Sequence, residues 1–142
     1  MALLVDTSVW SLAYRRDVPP DLPEVEALRR ALTDGDIVVT TGLILLELLR
    51  GFAPPRAQQT IDAAFEVLEF IEPDRDDYRG AAAVGHACRR SGVQLSSVDA
   101  LIAQLAMARD HTILTTDRDF HLAAQHVDLR LWQPPGPARS SQ

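Results

Sequence analysis

The sequence predicts an α/β fold built on a mostly parallel sheet. Short β-branched or aliphatic runs alternate with helical patterns along the whole chain. Several runs end abruptly in an acid or a hydroxyl residue, as when Leu3-Leu4-Val5 gives way to Asp6-Thr7-Ser8. Open parallel sheets place ligand-binding groups at such strand ends. The 142 residues suit one domain, with 46% hydrophobic and 24% charged residues.

In order, Leu3–Val5 reads as a buried strand. Ser8 to about Tyr14 reads as a short helix, capped by Thr7 or Ser8. Arg15 to Pro20 is a polar loop stopped by proline. Asp21 resembles an N-cap, Val25, Leu28 and Leu32 keep helical spacing, and Gly35 ends the helix. Ile37–Thr40 is the second strand. Thr41–Arg50 is apolar nearly all round, so it should be a buried helix. Ala57, Ile61, Ala64, Phe65 and Leu68 mark a further amphipathic helix, and a short strand fits within Glu69–Pro73. Asp74–Ser91 is a helix closed by Gly92. Its Ala81, Val84 and Cys88 share one side, and Arg75, Arg79, His86 and Arg90 fall within about 60° of one another on the other. Ser96–Asp99 has capping-box spacing and opens a helix with Val98, Leu101, Ile102 and Leu105 on one face. His111–Thr115 is a strand, Thr116–Phe120 turns into a last helix through about His126, and Leu129–Trp132 alternates like a final strand. Residues 1–133 thus form one domain, and the proline- and serine-rich stretch 134–142 is expected to be a disordered tail.

Composition excludes several functions. All 14 basic residues are Arg, so no Walker-type lysine loop or Schiff-base lysine exists. The lone Cys88 forms no internal disulfide. The N-terminal apolar run lacks a basic flank and is broken by Asp6, so no signal peptide is read there. No apolar run reaches the roughly 18 residues of a membrane span, and a cytoplasmic protein without a membrane partner is expected. The four histidines show no repeated ligand spacing, and no Gly-x-Ser-x-Gly elbow supports a serine hydrolase. The net charge is −6. Asp6, Glu47, Asp99, Asp117 and Asp119 account for most of it, so the acidic total does not exclude a nucleic-acid substrate once a cation offsets them.

Each of these acids has a plain structural explanation. Asp6 can cap the first helix, Asp99 fills the third position of a capping box, and Asp117 or Asp119 can cap the last helix. Glu47 interrupts the apolar helix on the face of Leu43 and Ile44, where a carboxylate needs a partner. Arg50 at i+3 is a candidate. The joint pattern carries more weight. In a parallel sheet Asp6 and Asp117/Asp119 emerge on one edge, and a helix starting there adds Asp99. Four or five carboxylates at one edge require a cation to stay ionised. An all-oxygen donor set implies Mg²⁺ or Mn²⁺, which suits phosphodiester hydrolysis. Ser8, Thr115 and Thr116 can orient a ligand or water, although turn and cap hydrogen bonds explain each one better.

Four segments in order are similar to a known family: Val5-Asp6-Thr7-Ser8-Val9-Trp10, Glu47-Leu48-Leu49-Arg50-Gly51, Ser97-Val98-Asp99-Ala100-Leu101-Ile102-Ala103, and Leu114-Thr115-Thr116-Asp117-Arg118-Asp119-Phe120. Together they resemble the PIN-domain ribonucleases, specifically the VapC-type toxins of bacterial toxin–antitoxin pairs. The resemblance implies a PIN-like three-layer sandwich with a central sheet of about four to five strands. It also implies a metal-dependent endoribonuclease acting on structured RNA such as tRNA or rRNA loops. Asp6, Glu47, Asp99 and Asp117 match the acidic quartet, and Asp119 matches a variable fifth acid. On this reading Asp6, Asp99 and Asp117 hold Mg²⁺, with Mn²⁺ able to substitute. Glu47 ligates it or positions the attacking water, and Asp119 tunes a second ion. A VapB-type antitoxin and a homodimer are the implied protein partners. Arg75, Arg79 and Arg90, with His86, are candidates for contacting RNA or antitoxin, against the plain alternative of a solvated helix face. A haloacid-dehalogenase phosphatase would need an acid at Ser8, and a phospho-receiver domain would need a lysine, so both fail. A catalytically inactive PIN-like partner-binding module and a DNA-directed nuclease are the remaining alternatives.

Overall fold

The computed structural model describes residues 2–15 and 21–136. The chain alternates strand and helix in parallel units: β1 (Leu3–Val5), α1 (Thr7–Ala13), α2 (Pro23–Asp34), β2 (Val38–Thr40), α3 (Gly42–Gly51), α4 (Pro55–Glu66), β3 (Glu69–Phe70), α5 (Arg75–Arg90), α6 (Ser97–Ala108), β4 (Thr112–Leu114) and α7 (Arg118–Ala123). The four strands form one sheet in the order β3-β2-β1-β4, every pair parallel. Leu4 pairs with Val39 on one side and Ile113 on the other, so β1 is central. Its three residues are buried, as are those of β2 and β4, which is how a sheet covered by helices on its faces reads in sequence.

The fifth expected strand, Leu129–Trp132, shrinks to a single parallel bridge between Leu131 and Ile113. Ile113 N–H donates to the Arg130 carbonyl at 3.0 Å and Trp132 N–H donates to the Ile113 carbonyl at 2.8 Å. The segment follows β4 for this one repeat only. An ion pair between Arg130 and Asp110 ties it to the turn after α6, where Asp110 takes a left-handed φ of 59°, a conformation Asp tolerates better than most residues. Residues 134–136 are exposed without regular structure, and the remainder of the expected tail, like most of the Arg15–Pro20 loop, lies outside the described residues.

Helix starts differ from expectation in detail. Asp6, not Thr7 or Ser8, occupies the N-cap of α1, and Leu22, not Asp21, precedes α2 with Pro23 as its first residue. Gly35 closes α2 with a φ of 73°, as its lack of a Cβ permits. On α2 the buried series is Val25, Leu28 and Ala31, while Leu32 is 47% exposed. The helix rests on its Ala31 side, and Leu32, about 100° further round, turns outward. The larger correction concerns α3. It is not buried all round: Ile44 and Leu48 are fully buried, Leu46 is 55% exposed and Glu47 is exposed. The helix packs against α1 and α4 through one face, and its apolar character extends onto an open one.

Trp10, among the largest buried side chains, is 2% exposed and meets Phe65 of α4 with ring centroids 4.8 Å apart. α5 opens with a complete capping box between Asp74 and Asp77. Asp77 also accepts two hydrogen bonds from Arg109, at 3.3 Å and 3.0 Å, and the same guanidinium donates to the Glu72 carbonyl at 3.3 Å. This fixes the start of α5 against the end of α6, the most extensively packed pair of elements in the molecule.

Candidate metal centre

The carboxyl edge of the sheet collects the acids because the connections after β1, β2 and β4 leave it in the same direction. β1 delivers Asp6 at once. β2 leads through Thr41 into α3, which carries Glu47 in its second turn. β4 leads through Thr115 and Thr116 to Asp117 and Asp119 at the start of α7. Asp99 arrives separately, in the first turn of α6. One carboxylate oxygen each from Asp99, Asp117 and Asp119 lies within 4.8 Å of the others. Asp99 and Asp117 are half-buried and Asp119 is exposed, so the trio has a protein side and a solvent side.

Asp6 forms the floor beside this trio. It is 5% exposed. Its Oδ2 accepts from Ser8 Oγ at 2.8 Å and from Thr115 Oγ1 at 2.9 Å. The same hydroxyls accept in turn: Ser8 Oγ from the Thr116 N–H at 3.2 Å, and Thr115 Oγ1 from the Asp117 N–H at 2.9 Å. Five residues from two strand ends thus form one polar chain, and the buried carboxylate is satisfied on this side. Burial raises the Asp6 pKa, and the two hydroxyl donors act against that rise.

Capping explains some acids and releases others. Asp117 is the N-cap of α7, its Oδ1 accepting from the Asp119 N–H at 2.9 Å, so it has a structural role as well as a place in the trio. Asp6 sits at an N-cap without a side-chain cap bond. Asp99 donates its own N–H to Ser96 Oγ at 3.1 Å, but the reciprocal bond of a capping box, present in α5, is not formed here.

Glu47 is an exposed rim residue, not a desolvated one. Its Oε1 accepts from Thr7 Oγ1 at 3.0 Å. Among the described residues no ion pair joins it to Arg50. The desolvation reasoning from sequence fails because α3 turns this face outward. Glu47 lies outside the close trio of carboxylates, but its charge contributes to the electrostatics of Asp99. The Asp99 carboxyl is pushed up to about 6, first by burial, then by the charges of Asp6 and Asp117, with a smaller contribution from Glu47 and the Ser96 hydroxyl acting the other way. Repulsion of this kind is what a bound cation relieves. The donor set fits a hard divalent cation: carboxylate oxygens only, at mutually short distances, open to water on one side.

Arg75, Arg79 and Arg90 stand with His86 on the exposed face of α5. Arg79 is paired with Asp76 at 3.1 Å. The sequence marked Thr7 only as a candidate helix cap, whereas its hydroxyl donates to Glu47.

The parallel sheet and its edge of acids define an α/β protein with a carboxylate cluster that could hold a metal ion. The family profile described as PIN domain matches residues 3–125, and the chain belongs to the PIN domain family. Among characterised relatives, Ribonuclease VapC11 of Mycobacterium tuberculosis is 28% identical over 130 residues, covering 90% of this chain and 96% of the relative. Ribonuclease VapC23 of the same species is 33% identical over 69 residues, covering 49% of this chain and 55% of the relative. Among solved structures, VapBC2 from Rickettsia felis, bound to a DNA fragment from its promoter, superposes with a TM-score of 0.73 at 20% identity, covering 94% of this chain and 100% of that one. VapC20 of Mycobacterium tuberculosis, described as a sarcin-ricin loop cleaving toxin, superposes with a TM-score of 0.66 at 23% identity, covering 90% of this chain and 98% of that one. These structural likenesses establish the fold.

Proposed function

We propose that this chain is a divalent-metal-dependent endoribonuclease, the toxin of a toxin–antitoxin pair, acting in the cytoplasm on structured RNA such as a tRNA or rRNA loop. The observation that carries the reading is the convergence of Asp99, Asp117 and Asp119 within 4.8 Å beside the buried Asp6. The VapC ribonucleases among its relatives support the choice of RNA and of a VapB-type antitoxin as partner.

The geometry supports the following roles. Asp99, Asp117 and Asp119 supply the close donor set, and Asp6 adds negative charge from below while Ser8 and Thr115 hold its orientation. Glu47 stands at the rim, steadied by Thr7, where it can orient the attacking water. Mg²⁺, with Mn²⁺ able to substitute, is the cation such donors select, and once bound it supplies an activated water and offsets charge on the phosphodiester. The structure groups Asp119 closely with Asp99 and Asp117, which favours a share in the same site over a separate one. The exposed Arg75, Arg79 and Arg90 suit phosphates flanking the cut or acidic residues of the antitoxin, and the protein acts as a homodimer on this reading.

The test is cleavage of total bacterial RNA by the purified protein with Mn²⁺, with EDTA, and as Asp6→Asn. Discrete fragments that need both the metal and Asp6 are expected. Absence of cleavage by folded, metal-loaded protein free of antitoxin would favour a partner-binding module instead. For the arginine face, Arg79→Ala combined with Arg90→Ala should weaken RNA or antitoxin binding, and unchanged affinity for both would remove it from the interface.

A further inference from the structure

Beside the acidic centre lies a cleft of about 480 Å³ that the cleavage chemistry does not use. One wall is a single face of α5, formed by Tyr78, Ala81, Ala82, Gly85, His86 and Arg89. The spacing of three, one, three, one and three residues keeps all six on one side of the helix. The opposite wall comes from Leu43 of α3, Leu95, and Ser96 to Val98 at the start of α6, with Leu101 deeper in. The cleft is therefore continuous with the metal centre through two elements. Leu43 stands one turn before Glu47 on α3, and Ser96 receives the Asp99 N–H at 3.1 Å.

The chemistry of the walls is graded. The middle is flat and apolar, with Ala81, Ala82 and Gly85 projecting little into the space. A Cβ built on Gly85 meets nothing within 4 Å, so the space above it is open. Tyr78, 58% exposed, offers a ring at one end. Arg89 and His86 stand toward the other, and among the described residues Arg89 has no carboxylate partner within 4.0 Å. Ser96 and Ser97 add hydroxyls on the side nearest Asp99.

We infer that this cleft receives one unpaired nucleotide of the RNA next to the scissile phosphate, its base lying over Ala81, Ala82 and Gly85 against Tyr78 and its phosphate reaching Arg89. The inference rests on the ribonuclease reading above. A base needs a flat apolar surface, an aromatic edge and few fixed polar demands, and stacking binds it without strict sequence preference. Arg89 extends the cationic surface of Arg75, Arg79 and Arg90 into the cleft, where a guanidinium can hold a phosphate. A substrate with an extruded or single-stranded nucleotide is thereby preferred over continuous duplex, because base pairing hides the stacking face.

Two variants test this. Gly85→Leu fills the cleft from a position where an added Cβ meets no protein neighbour, and leucine is the better helix former. Tyr78→Ala removes an exposed ring. The readouts are anisotropy of a fluorescein-labelled single-stranded 12-nucleotide RNA and of its duplex in Ca²⁺, cleavage of total RNA in Mn²⁺, Mn²⁺ affinity by calorimetry, thermal midpoint, and light scattering. Each variant should weaken single-strand binding by about tenfold, the order of one lost stacking partner. KM should rise with kcat retained, and Mn²⁺ affinity and the thermal midpoint should hold. Wild-type protein that cleaves RNA while both variants bind and cleave as it does would overturn the cleft and leave the ribonuclease reading standing. Wild-type protein that neither binds nor cleaves RNA would overturn both. Altered oligomeric state or antitoxin affinity in Gly85→Leu, with RNA binding unchanged, would reassign the cleft to a protein partner.

Discussion

Thr115 donates its hydroxyl hydrogen to Asp6 at 2.9 Å across 109 positions of chain. The bond joins the ends of β4 and β1 and holds the most buried acid of the centre in one orientation. The same oxygen accepts from the Asp117 N–H. A single hydroxyl therefore couples the floor of the site to the acid that caps α7.

Thr115→Val keeps the shape and removes both bonds. Loss of the donor leaves a buried carboxylate poorly solvated and raises the Asp6 pKa further. Stability should fall by about 1–3 kcal/mol. Mn²⁺ affinity should fall by roughly tenfold, as for other groups that orient ligands. Chemical denaturation and calorimetric titration read the two effects.

Asp99 makes the metal-free protein sensitive to pH in a defined direction. Its carboxyl is near 6 in the fold against an ordinary value of 3.8. The native state therefore holds this proton more tightly than the unfolded chain. Its contribution to stability is fully present below the ordinary value and is lost as pH rises through about 6. Metal binding runs the other way, because only the carboxylate ligates. Mn²⁺ affinity should climb up to about tenfold per pH unit below 6 and level off above it. Titrations at several pH values with wild type and Asp99→Asn check this; the variant should lose the step.

The Asp77–Arg109 pair predicts the opposite pH response, in stability alone. Hydrogen bonds from Arg109 chiefly hold the Asp77 carboxyl below its ordinary range. This stabilisation is present above the ordinary value and disappears as pH falls through the lowered one. Asp77→Ala removes both this pair and half of the α5 capping box, at about 2 kcal/mol near neutral pH and much less in strong acid. Urea midpoints at both pH values test it, and RNA cleavage per folded molecule should stay near wild type.

Thr7 and Glu47 should act as one unit at the rim. Thr7→Val leaves Glu47 unsteadied, so cleavage should slow by about fivefold to tenfold, with the thermal midpoint nearly unchanged because the pair is exposed. In a double-mutant cycle, Thr7→Val should have little further effect on Glu47→Gln.

The sequence carried much of the architecture for local reasons. Leu3–Val5, Val38–Thr40 and Thr112–Leu114 are short apolar runs bounded by helix starts, and strands covered on both faces look this way. The acids were legible because each terminates or opens an element: Asp6 after a strand, Asp117 before α7, Asp99 in a first turn. The fifth strand was misread because alternation at Leu129–Trp132 reports a period, whereas pairing depends on how far the segment follows β4.

Sequence alone determined which residue types reach the carboxyl edge, since strand direction and helix starts are written in local pattern. Tertiary structure decided their states. It turned Glu47 outward by setting α3 on its Ile44 and Leu48 face, and buried Asp6 under two hydroxyls from distant strand ends. It also raised the Asp99 pKa, first by burying the carboxyl and then by bringing Asp6 and Asp117 beside it. Burial, repulsion and long-range hydrogen bonds depend on distances between segments far apart in the chain, which no local pattern contains.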